Sequence, residues 1–149
     1  MEGKRHLVRD IMKKKLISID ETETIKKAAS MMTEAEIGSI IITKDNIPVG
    51  ILTERDFVTK IASKEISLSV PVSQVMTHPL LVIAPNQTVW EVAEIMRNMG
   101  IHRVAVQEGS KIIGMVTTTD LIKIVSIGSD SNLQKIADLI FSRQKKNSD

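Results

Sequence analysis

Apolar positions along this chain follow two alternating rhythms, and the whole pattern occurs twice. Near the start, Val8-Arg9-Asp10-Ile11-Met12 is matched by Val72-Ser73-Gln74-Val75-Met76. Each predicts a short turn of helix that docks a methionine. Leu16-Ile17-Ser18-Ile19 and Leu80-Leu81-Val82-Ile83 follow as short extended segments. Pro79 and Pro85 bracket the second and discourage helix there. Ile25, Ala28, Ala29, Met32 and Ile37 then fall near three- and four-residue spacing, as do Val89, Val92, Ala93, Met96 and Ile101. That spacing predicts one amphipathic helix in each half. Thr24 and Thr88 are the expected N-caps. Glu91 completes a capping box with Thr88, whereas Lys27 holds that position after Thr24. Gly100 suits a C-cap; Glu36 stands in its place in the first half.

The rhythm then changes to that of strands. Ser39-Ile40-Ile41-Ile42-Thr43 is β-branched, Lys44-Asp45-Asn46 makes a turn, and Pro48-Val49-Gly50-Ile51-Leu52 returns. In the second half Arg103-Val104-Ala105-Val106 turns at Glu108-Gly109-Ser110 and returns through Ile112-Ile113-Gly114-Met115-Val116. A last helix follows each threonine, from Thr53 to about Ser63 and from Thr117 to about Ile127. The order in each half is therefore βαββα, a mixed α/β and α+β pattern. The halves keep one ungapped offset of 64 residues, from Asp56 to Asp120.

These boundaries divide the chain into a first repeat over 1–66, a second over 67–128, and a C-terminal segment over 129–149. Lys64 to Val70 reads as the linker. Each repeat is about 60 residues, a size at which a core is marginal, so the repeats are expected to share one core. In the last segment Leu133, Ile136, Ala137, Ile140 and Phe141 form an apolar stripe, predicting an amphipathic helix with the basic end Arg143-Gln144-Lys145-Lys146.

Composition narrows the function. Aromatics are only 2% of the 149 residues, so the core is built from Ile, Val, Leu, Met and Ala. A net charge of +2 does not by itself imply nucleic-acid or membrane binding. The absence of cysteine excludes disulfides, thiol catalysis and Cys-ligated zinc, and fits a cytoplasmic protein. No secretory h-region follows Met1, and no apolar run approaches a membrane span. The three histidines, His6, His78 and His102, sit in unlike contexts without metal-ligand spacing. With no nucleophile elbow and no phosphate loop, an enzyme is not expected.

The chemistry concentrates at one corner, present twice. Gly50-Ile51-Leu52-Thr53-Glu54-Arg55-Asp56 returns as Gly114-Met115-Val116-Thr117-Thr118-Thr119-Asp120. Thr with an acid three residues on is a capping-box-like pattern, which explains both copies cheaply. The strand feeding each corner favours a ligand site as well. A helix N-terminus suits a phosphate, and Thr53 and Thr117 can hydrogen-bond a phosphate or ribose oxygen. Asp56 and Asp120 would repel phosphate and are better matched to a ribose diol, whose two hydroxyls a carboxylate can accept.

The doubled corner, the element order and Ile101-His102-Arg103 ahead of the second strand together resemble the cystathionine-β-synthase (CBS) domain. Two in tandem resemble a CBS pair, or Bateman module, over roughly Val8 to Ile127. The resemblance implies repeats packed with pseudo-twofold symmetry and clefts between them that bind AMP, ADP or ATP, or in some members S-adenosylmethionine and related adenosyl compounds. It implies homodimers and regulatory energy sensing rather than catalysis. It assigns the corner aspartates to ribose, and His102 and Arg103 to phosphate, where Arg55 and Thr119 flank the two corners. Ile17, Ile37, Leu81 and Ile101 would wall the adenine, and Gly38 and Pro79 are further candidate ligand-binding residues. The copies differ: Gly38-Ser39 stands where the second repeat has His102-Arg103, so the clefts should differ in charge and affinity. The expected function is a regulatory module that binds adenine nucleotide, without catalytic cofactor or metal, and signals through its dimer to an unidentified target protein. The alternatives are an interaction module with vacant clefts, a binder of adenosyl compounds, and a nucleic-acid binder drawing on the basic tail.

Overall fold

In the computed structural model the described residues are 6–127 and 138. The chain folds into two compact units, and these do not follow the repeat boundaries. One unit is continuous, Lys15–Leu81; the other joins, among the described residues, 6–14 to 82–127.

The continuous unit carries β1 (Ser18–Asp20), α2 (Ile25–Ala35), β2 (Ser39–Lys44), β3 (Ile47–Thr53) and α3 (Glu54–Asp56). The discontinuous unit opens with α1 (Val8–Ile11) and continues with β4 (Val82–Ile83), α4 (Val89–Met99), β5 (Arg103–Glu108), β6 (Lys111–Thr117) and α5 (Thr118–Ile127). Each sheet has three strands in sequence order, the first pair parallel and the second antiparallel. Parallel pairing needs a helical crossover, which α2 and α4 supply. The first strands begin two residues later than their apolar runs suggest. Only Ser18, Ile19 and Asp20 find partners on β2, opposite Ile41, Ile42 and Thr43.

Local signals explain most boundaries. Thr24 caps α2 through Lys27 N at 3.1 Å, and Thr88 caps α4 with the expected reciprocal box to Glu91. Gly100 ends α4 at φ 67°, and Glu36 ends α2 in the same left-handed region at φ 56°. Asp45 and Asn46 both take positive φ, as a two-residue hairpin of primed type requires. After α3 the chain widens into a π-helical stretch, Phe57–Ala62. There the hydroxyls of Thr59 and Ser63 donate back to Arg55 O and Thr59 O, competing with the ordinary ladder.

The expected single shared core is corrected. Burial forms two clusters, one per unit. Val8, Val92, Val104, Val106, Val116 and Leu121 mark one; Ile25, Ile40, Ile42, Leu52, Val72 and Val75 mark the other. Each unit reaches a sufficient core by adding a segment from outside its own repeat. Val8 joins the sheet of the second repeat, while Val72 and Val75 join that of the first. The stretch read as a linker is also structural: Val70 O and Leu68 O accept Ile25 N and Lys26 N at the start of α2.

The same exchange explains the glycine of each corner motif. The two methionine-docking turns form as expected, α1 and a 3-10 turn over Val72–Gln74. Met12 lies against Gly114 and Met76 against Gly50, so closely that an added Cβ would meet their sulfurs at 2.5 and 2.7 Å. Main-chain bridges fix both contacts, Lys13 with Met115 and Thr77 with Ile51. The amphipathic helix expected over 129–149 lies outside the described residues apart from Asp138, which is helical and exposed.

Candidate functional site

Among the described residues the buried polar side chains are Ser39, Asp56 and Asp120. Both carboxylates belong to the corners, at 7% and 5% exposure. An ionised carboxylate removed from water must be paired and hydrogen-bonded, and both are.

In the discontinuous unit Asp120 Oδ2 accepts Thr117 N at 2.9 Å and Thr117 Oγ1 at 3.0 Å. The Asp120 backbone N donates in return to Thr117 Oγ1 at 3.3 Å. In the continuous unit Asp56 Oδ2 accepts Thr53 N at 2.8 Å and Thr53 Oγ1 at 3.2 Å. One oxygen of each carboxylate thus serves the cap. The other, Oδ1, faces a lysine: Lys13 at 3.7 Å from Asp120 and Lys60 at 3.4 Å from Asp56. Capping therefore occupies one oxygen of each side chain and leaves the other to the lysine.

Sequence reasoning missed these lysines. Lys60 was legible in principle, one helical turn beyond Asp56. Lys13 carried no local signal, because its pairing with Asp120 spans most of the chain.

Around the Asp120 corner, Arg103 pairs across the strands with Thr117. His102 O accepts both Thr118 N at 2.9 Å and Thr118 Oγ1 at 3.2 Å. His102 is exposed, Arg103 and Ile101 are half-buried, and Thr119 is exposed on the first turn of α5. Around the Asp56 corner, Gly38 O accepts Glu54 N at 3.1 Å, and Ser39 pairs with Thr53. Ile17 packs at the edge of this unit's core, and its carbonyl accepts Ile41 N at 3.0 Å. Ile37 is half-buried and Arg55 exposed. Pro79 and Leu81 are exposed and fall in the continuous unit, whereas Ile101, His102, Arg103, Thr117 and Asp120 fall in the discontinuous one.

A cavity of about 400 Å³ opens in the continuous unit between Ala29, Met32, Thr33, Ile37 and Phe57, rimmed by Glu36 and Glu54. Two carboxylates and no cation make it unsuited to phosphate. No cluster of groups able to hold a metal ion occurs among the described residues, and no helix there is long and apolar enough to cross a membrane.

The family profile of the CBS domain matches residues 8–63 and 72–127. The chain is 27% identical over 114 residues to a CBS domain-containing protein of Bacillus subtilis, covering 76% of this chain and 81% of that protein. It is 31% identical over 120 residues to an uncharacterized protein of Methanopyrus kandleri, covering 78% of this chain but 61% of the relative. Among solved structures, a CBS domain protein from Pyrobaculum aerophilum complexed with AMP shares the fold at a TM-score of 0.74 and 23% identity, over 89% of this chain and 98% of that one.

Proposed function

Since the chain belongs to the CBS domain family, with two domains in tandem, we propose that it is a regulatory module that binds an adenine nucleotide at its corners and performs no catalysis. The observation that carries this reading is the pair of buried corner carboxylates. Asp56 and Asp120 each keep one oxygen for the cap and turn the other toward a lysine at the surface. A ribose diol can take that second oxygen without unravelling the helix start. Thr53 and Thr117 stand beside it, and His102 and Arg103 lie one strand away from Thr117 as candidate phosphate contacts. The AMP complex of the Pyrobaculum relative supports the choice of ligand class.

On this reading AMP, ADP or ATP is the natural ligand, and competition among them would report cellular energy state. The protein would pass this on as a homodimer to a target protein. Such a signal requires the ligand to favour one arrangement over another, since equal binding to both shifts nothing. Calorimetric titration of the folded protein with AMP, ADP, ATP and S-adenosylmethionine tests the reading. Saturable heat from at least one adenine nucleotide is expected; no heat from any of the three would overturn it.

A further inference from the structure

The two corners solve one electrostatic problem from different sequence positions. At the repeat offset, Lys60 corresponds to Ile124 and Lys13 corresponds to Thr77. The Asp56 corner takes its lysine from the helix that follows it, with Thr77 in the neighbouring turn. The Asp120 corner has an apolar residue in that helix, Ile124 packed against the core, and takes its lysine from the turn instead. The repeats differ at both positions, yet each corner presents one ammonium group to Oδ1.

The two lysines are not equally tied. Lys60 Nζ donates to Thr77 Oγ1 at 2.8 Å and Val75 O at 3.3 Å in addition to facing Asp56. Lys13 Nζ has Asp120 alone among the described residues, at 3.7 Å, with its side chain 59% exposed. At 3.7 Å the contact is too long for a hydrogen bond and its lysine end lies in water while Asp120 is buried, so little opposes release once ligand hydroxyls take Oδ1.

Resting on the nucleotide reading above, we propose that Lys13 is a specificity-determining residue of the Asp120 corner, selecting a phosphorylated adenosine over the bare nucleoside. In the unliganded protein its ammonium group neutralises Asp120 Oδ1. When ribose hydroxyls take that oxygen the ammonium is displaced. A flexible four-carbon stem then lets it turn to the 5′-phosphate of the same ligand. The nucleoside displaces the lysine and offers it nothing in return. Lys60, held by three acceptors, is not released in this way, so phosphate selectivity resides in the discontinuous unit.

The test is titration of AMP and adenosine against the full-length protein, Lys13→Met and Lys13→Arg, with thermal melts confirming the fold. A lost charged contact of ordinary strength corresponds to about a tenfold change. Lys13→Met is expected to weaken AMP about tenfold while adenosine binds unchanged or more tightly, and Lys13→Arg to keep the wild-type preference for AMP. Equal changes for both ligands in Lys13→Met would make Lys13 a structural counter-ion and overturn the proposal. Wild-type protein that binds neither ligand would overturn this inference, and failure of ADP and ATP as well would overturn the nucleotide reading itself.

Discussion

Replacing the corner glycines with alanine should separate two kinds of close packing that the repeat makes look alike. At Gly114 an added Cβ would lie 2.5 Å from Met12 Sδ, 2.8 Å from its Cγ and 3.1 Å from its Cβ. At Gly50 it would lie 2.7 Å from Met76 Sδ, 2.8 Å from Thr77 O and 3.2 Å from Met76 Cγ. Unstrained contacts between carbon atoms are about 3.5–4.0 Å, so both sites are overpacked, at about 1–3 kcal/mol. Alanine regains about 0.5–1 kcal/mol over glycine within a strand, which leaves each single variant up to about 2.5 kcal/mol less stable. The difference appears in the double variants. Met12→Ala removes the two atoms that crowd the added methyl most closely and leaves only a Cβ at a distance that a small shift relieves. Gly114→Ala in that background should be nearly neutral, a coupling of about 1–2 kcal/mol. Met76→Ala leaves Thr77 O in place. That oxygen is held by Ile51 N at 3.0 Å while Thr77 N donates to Ile51 O at 2.9 Å. Gly50→Ala should therefore keep most of its cost. Urea unfolding followed by far-ultraviolet circular dichroism, taken through both double-mutant cycles, measures the two couplings. Couplings equal within about 0.5 kcal/mol, the usual scatter for independent sites, would refute the distinction between a yielding side chain and a fixed carbonyl.

Asp120→Ala should weaken AMP binding by about 1–3 kcal/mol, the range for lost charge-assisted hydrogen bonds, as read by calorimetry; unchanged affinity in a folded variant would confine Asp120 to capping. A fragment of residues 15–81 should melt cooperatively, whereas 1–66 should not, because it lacks Val70, Val72, Val75 and Met76 of the same core; cooperative melting of 1–66 would refute the division into units. The Thr22 hydroxyl, and then its backbone N–H, donate to the exposed Asp20 carboxylate and hold its pKa below the ordinary value. A depressed folded pKa stabilises the protein above the unfolded value of about 4, and that stability is lost as pH falls through the folded value. Asp20→Asn should flatten this part of the acid limb in pH-dependent melts, and an unchanged slope would count against it.

What the sequence revealed follows from the range of each interaction. Thr24, Thr88, Gly100 and Asp45-Asn46 act within a few residues, and they bound their helices and hairpin as their types require. The Thr53/Asp56 and Thr117/Asp120 boxes were equally local. The exchanged turns were visible as methionine-bearing repeats, but their destinations were not. Nothing near Met12 says that it docks on Gly114 and not on Gly50, its counterpart within the same repeat. Lys13 was hidden for the same reason, and so was the existence of two cores. A duplicated sequence offers each segment two equivalent sites, and local pattern cannot choose between them.

The discontinuous unit also sets an order of events during synthesis. The core cluster and the sheet of residues 15–81 are complete in sequence once Leu81 has left the ribosome, so this unit can close while the rest is still being made. The turn around Val8 and Met12 emerges before that unit but must wait for Met115 and Gly114, roughly 5–20 s later at ordinary elongation rates. During that interval its apolar residues are tethered to an already folded unit whose Gly50 corner has the same form as the one they await. That corner is safe only if the 72–76 turn has filled it first. The contacts of the Val8–Met12 turn are thus among the later ones to form, and with them Lys13 meets Asp120.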